Sequence, residues 1–135
     1  MTDLHLTNKP WQVRKALSMG KDYDAVLISG DMTNDGAQEQ LELFRQCVTE
    51  VIPEVPVFTV TGNHDYPRNP LPQVPHGICD YPALQQKLLD RAERMSISYQ
   101  QDKSGAYVAT MGDTEIIGLN AATHWRRFKF PDNAQ

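Results

Sequence analysis

The sequence predicts an α/β fold in which short buried strands alternate with amphipathic helices and antiparallel strands follow. Two apolar, β-rich runs each end in a polar Gly-containing cluster. Segments with apolar residues at helical spacing flank them, and three later β-like runs are separated by Gly-containing turns. With 135 residues, 40% of them hydrophobic, the chain is long enough for the core of one domain.

Pro10 and residues 11–19 predict the first helix: Pro suits a first turn, Val13, Ala16 and Leu17 form the apolar stripe, and Gly20 stands just past the end. Residues 23–29 follow as a strand, and their continuous apolar centre, Ala25 to Ile28, suits burial on both faces in a parallel sheet. Asp35, with Gln38 three residues on, predicts a capping box for a second helix carrying Leu41, Phe44, Val48, Val51 and Ile52. Pro53 and Pro56 bracket its end, and residues 57–61 form a second β-rich run.

Four prolines make residues 66–79 a loop. Asp80 is the expected cap of a third helix over 81–95, with Leu84, Leu88, Ala92 and Met95 on one face. The runs 97–101, 106–111 and 114–120, separated by Ser104-Gly105 and Gly112-Asp113, predict an antiparallel meander. Residues 121–135 show no clear periodicity.

Charge and composition exclude several classes. A net charge of -4 argues against a broad nucleic-acid footprint, while leaving nucleic acid open as a phosphate-bearing substrate. Two cysteines make no disulfide scaffold: Cys47 reads as helix packing, and Cys79 has no partner at metal spacing. No apolar run approaches membrane-span length, and no signal peptide is visible, so a cytoplasmic domain is expected. His76 reads as a surface histidine, and the segment 124–127 as a solvated loop or an interface.

Three polar clusters carry the functional signal: Asp3-Leu4-His5, Gly30-Asp31 and Gly62-Asn63-His64-Asp65. The last two end the two β-rich runs, where open α/β sheets bind ligands. Carboxylate, amide and imidazole together form a mixed oxygen/nitrogen ligand set suited to Mn, Fe or Zn. The glycines would let the backbone turn sharply at the strand ends. Each cluster alone also fits a bland reading, as a solvated terminus or ordinary turn chemistry.

In this order, Asp-x-His, Gly-Asp and Gly-Asn-His-Asp resemble the calcineurin-like metallophosphoesterase superfamily, from Asp3 to about Asn120. The resemblance implies a β-sandwich flanked by helices, here truncated and ordered β-α-β-α-β-α before the antiparallel strands. It implies hydrolysis of a phosphodiester or phosphomonoester by a hydroxide that two divalent metal ions activate. By position, Asp3 and His5 would bind the first metal, Asp31 would bridge both, and Asn63 would bind the second through its amide oxygen. His64 would not bind metal; it would face the substrate, stabilise the transition state and protonate the leaving oxygen, with Asp65 orienting it. The context Gly30-Asp31-Met32-Thr33-Asn34-Asp35-Gly36 is similar to bacterial phosphodiesterases of the cyclic-nucleotide type. Asn34, standing where purple-iron phosphatases carry a tyrosine, argues against a tyrosinate-iron site.

The sequence departs from the family pattern in two places. It has no Gly-His pair, so the family's later histidine ligands are not found, and only Met1-Thr2 precede Asp3. The expectation is a single partial domain, residues 1–135, lacking the first strand and the C-terminal half. Exposed strand edges then predict a marginal chain that self-associates or is completed by another chain. The rival reading is a non-catalytic metal-binding or interaction remnant of the same scaffold.

Overall fold

The computed structural model describes residues 1–66 and 81–120. Its elements are α1 (Trp11–Ser18), β1 (Val26–Ile28), α2 (Gln38–Val51), β2 (Val57–Thr59), a 3-10 turn η1 (Asn63–Asp65), α3 (Tyr81–Arg94), β3 (Ser98–Gln101), β4 (Tyr107–Met111) and β5 (Thr114–Gly118). This is the expected α/β order, within a few residues at each boundary. Asp80, the loop with His76 and Cys79, and the segment 124–127 lie outside the described residues.

β1 and β2 pair in parallel, Val26 opposite Val57 and Ile28 opposite Thr59. The expected burial of β1 on both faces does not hold: Leu27 is 51% exposed while Val26 and Ile28 are buried. β2, in contrast, is buried along its whole length. Among the described residues, β1 is thus covered on the face of Val26 and Ile28 and open at Leu27.

Residues 1–6 run beside β1. The Met1 amino group donates to Leu27 O (2.7 Å), Ser29 N donates to Met1 O (2.9 Å), and Leu6 bridges Thr33 in parallel. The edge expected to be bare is thus met at both ends by this segment. These bonds hold Asp3 and His5 beside the end of β1.

The cap of α2 differs from expectation. The helix begins at Gln38 and has no side-chain cap. Asp35 pairs reciprocally with Gln40 instead: Asp35 N donates to Gln40 Oε1 and Gln40 Nε2 to Asp35 Oδ2, each at 2.9 Å. The reciprocity of a capping box is kept, but spread over five residues because Gly36 and Ala37 extend the approach.

The meander is present, with β4 central between β3 and β5. Two apolar cores result. One joins Leu6, α1, α2 and β1 and includes the buried Cys47; the other joins Phe58, Leu89, Ala92, Ile97, Tyr107 and Ala109. Tyr107 lies opposite Gly118 in the ladder, and a Cβ there would meet its ring at 2.2 Å. The missing side chain lets the ring lie across β5, and its hydroxyl donates to Thr59 O at 3.0 Å. The meander is thereby fastened to the carboxyl end of β2.

Candidate metal centre

The site forms where the chain leaves β1 and β2. Gly30 and Gly62 bring these two exits into backbone contact: a Cβ on Gly30 would sit 2.6 Å from Gly62 N. Gly30 has φ +99°, so it needs glycine for conformation as well as space. Gly62 has φ -98°, which any residue adopts. It needs glycine only because a Cβ there would lie 1.9 Å from Asp31 Oδ1. The two glycines therefore serve close approach, and only Gly30 serves a sharp turn.

Asp31 is the junction. Its Oδ1 accepts from His64 N at 3.0 Å, and its Oδ2 lies 3.9 Å from His5 Nε2. The edge of one imidazole meets the face of the other, His5 against His64, with centroids 4.3 Å apart. One ligand atom from each of His5, Asp31 and His64 lies within 4.8 Å of the other two. The His5 imidazole and the Asp31 carboxylate are a chemically fitting donor pair for Mn, Fe or Zn, and His64 stands beside them with Nδ1, not Nε2, against Asn34 O.

The other expected residues sit around this trio. Asp3 is at the rim, its side chain 59% exposed and Oδ1 3.6 Å from His5 Nε2. Asn63 is exposed and opens η1, directly before His64. Asp3, His5 and Asp31 all have positive φ, +54°, +45° and +52°. Such backbone costs about 1–2 kcal/mol per non-glycine residue, and three cases together mark a site whose shape is held by its surroundings.

Asp65 supplies much of that hold. It is fully buried; Oδ1 accepts from Thr33 N (2.9 Å) and Thr33 Oγ1 (3.1 Å), and Oδ2 from Gly62 N (2.9 Å). Burial pushes its carboxyl pKa up, opposed by the bonds from Gly62 and Thr33. These contacts bind the His64 turn to the exit of β1. His64 Nδ1 lies 2.8 Å from Asn34 O. A carbonyl oxygen can only accept, so Nδ1 carries a proton and Nε2 is the basic nitrogen of the neutral ring.

Sequence reasoning missed three contributors. Thr33 is fully buried at the centre of this network, and its hydroxyl also accepts from Gly36 N. Asn34 contributes through its carbonyl, which residue type does not reveal. Asn120 accepts from Thr61 N at 3.2 Å and donates to Gly105 O at 2.9 Å, joining the meander to the exit of β2. The Met-Thr step after Gly-Asp was the one visible signal for Thr33.

A parallel pair with polar exits, helices beside it and a His/Asp/His cluster beyond the strand ends define an α/β scaffold with a candidate metal site. The family model for calcineurin-like phosphoesterase matches residues 1–130, and the chain belongs to that family. No curated protein and no solved structure matched the chain. Family membership implies metal-dependent hydrolysis of phosphoesters. Among the described residues, no helix is long and apolar enough to cross a membrane.

Proposed function

We propose that the chain forms the metal-binding half of a phosphoester hydrolase, acting on a phosphodiester or phosphomonoester with two divalent ions. The observation that carries the reading is the convergence of His5, Asp31 and His64 beyond the strand ends. Asp31 would be the carboxylate shared between the ions, with Asp3 and His5 as further ligands of the first and the Asn63 amide oxygen as a ligand of the second. Bound ions would polarise the phosphoryl oxygens and lower the pKa of an attacking water. His64 faces the phosphoryl group, and its imidazolium form passes the Nε2 proton to the leaving oxygen while Nδ1–H stays on Asn34 O. Asp65 keeps that ring in place through the turn backbone, via Thr33 and Gly62.

The rival reading is a non-catalytic metal-binding remnant of the same scaffold. Hydrolysis of bis(p-nitrophenyl) phosphate with added Mn²⁺, measured beside Asp31→Asn, separates these. Turnover that Asp31→Asn abolishes supports the hydrolase. Saturable Mn²⁺ binding without turnover supports the remnant, and turnover unchanged in Asp31→Asn refutes the site.

A further inference from the structure

A second polar feature lies at the opposite end of the sheet. The Arg91 guanidinium donates to the carbonyls of Ile52 and Val55, in the turn that enters β2. The metal cluster stands beyond the strand exits, so α3 carries Arg91 away from it. Here α2 and α3 enclose a notch of about 160 Å³, lined by Arg45, Thr49, Lys87, Asp90, Arg91 and Arg94. Four of the chain's 13 basic residues meet at this notch, on a chain with net charge -4.

Among the described residues, two carboxylates stand at the notch, Asp90 in its wall and Glu42 just outside. Asp90 Oδ1 accepts from Gln86 Nε2 (2.8 Å) and from Tyr99 OH (3.0 Å), which draws it toward β3. Glu42, just outside, is clamped by Arg45 through Nε and Nη2, and also feels the charge of Lys87. The Thr49 hydroxyl donates to Arg45 O. Among the described residues, Lys87, Arg91 and Arg94 form no ion pair. Burial and then the charge of Arg94 pull the Arg91 pKa down. Arg45, Lys87, Arg91 and Arg94 put four positive charges around the one Asp90 carboxylate in this notch, and an anion there relieves their mutual repulsion.

We propose that this notch binds a phosphoryl group, with Arg91 and Arg94 as donors and Lys87 as countercharge. Arg91 is already oriented by two carbonyls, so its remaining N–H groups are presented at little entropic cost. Planar guanidinium forks match the oxygen spacing of phosphate, and the notch has room for a tetrahedral oxyanion. The ligand is either free inorganic phosphate or the phosphate end of a small ester. The site is independent of the metal centre.

The test titrates inorganic phosphate into the full chain at constant ionic strength, followed by ¹H–¹⁵N NMR. A chelator keeps metal away from His5, Asp31 and His64. Saturable shifts should appear at Thr49, Lys87, Arg91 and Arg94. Arg94→Gln, an exposed position, should weaken binding about tenfold with an unchanged melting temperature, the loss of one charge-assisted bond. Lys87→Gln should weaken it in the same direction, and Lys103→Gln, in the β3–β4 turn at the other end, should leave it unchanged. Equal binding of glycerol 3-phosphate identifies the esterified group as ligand, and binding of inorganic phosphate alone identifies the free ion; either supports the site. Absence of saturation, shifts confined to Asp31 and His64, or equal weakening by Lys103→Gln would overturn it.

Discussion

Gly62→Ala isolates the close approach of the two strand exits from backbone strain. At φ -98° alanine is conformationally acceptable, so the whole cost is spatial. The new Cβ would fall 1.9 Å from Asp31 Oδ1, 2.4 Å from Asp31 N and 2.7 Å from Asp31 Cγ. Two of these atoms belong to a side chain that can swing; the nitrogen is backbone, so the exit of β1 must move as well. Overpacking of this kind costs about 1–3 kcal/mol. Displacing the carboxylate also breaks its bond from His64 N, and a hydrogen bond to a charged group contributes about 1.5–3 kcal/mol. The sum, about 2.5–6 kcal/mol, is a large share of a typical domain's stability. At about 4 °C per kcal/mol the melting temperature should fall by roughly 10 °C or more. The assay is thermal unfolding by circular dichroism with and without Mn²⁺. The parent should be stabilised by Mn²⁺ through mass action, and Gly62→Ala should lose that gain because Asp31 no longer meets His5 and His64. Gly112→Ala is the contrast: with φ +57° and nothing within 4 Å of its Cβ, it should cost only about 1–2 kcal/mol of backbone strain and keep the Mn²⁺ response. A Gly62→Ala protein with unchanged melting temperature and unchanged Mn²⁺ response would refute the reasoning.

Asp31→Asn should remove Mn²⁺ stabilisation while leaving the chain folded, read as a flat melting temperature across a Mn²⁺ titration. Asp65→Ala leaves the N–H groups of Thr33 and Gly62 without their acceptor in a buried site, at about 1–3 kcal/mol each, and should lower the urea midpoint sharply. Tyr107→Phe loses the bond to Thr59 O and should cost about 0.5–1.5 kcal/mol in the same assay. Burial pushes the Tyr107 pKa up to about 12 from 10.0, so the unfolded chain gives up this proton first. Its stability contribution is present below pH 10 and lost as pH rises toward about 12, and the urea midpoint should fall less steeply with pH over that window in Tyr107→Phe.

The helices and the meander were legible because their signals are local. Leu84, Leu88 and Ala92 repeat at helical spacing, and Gly112-Asp113 marks a turn between β-rich runs without reference to the rest of the chain. The polar exits at Asp31 and Asn63-His64-Asp65 were legible as motifs. Their arrangement was not, because it depends on contacts between residues about 30 positions apart. Asp35 finds Gln40 rather than Gln38, since the angle at which a chain enters a helix is set by packing. Leu27 reads as core yet stands half exposed, since an apolar residue in a strand says nothing about whether a layer covers it. Gly62 looks like a turn glycine and is instead the space into which the Asp31 carboxylate fits. Thr33 looks like a loop residue and becomes the buried partner of Asp65. Residue types alone determined which donors this protein offers to a metal, because ligand chemistry resides in side-chain identity. Only the tertiary structure decided which of those donors meet, because that follows from how closely two strand exits approach, and two glycines together with one buried carboxylate control the distance.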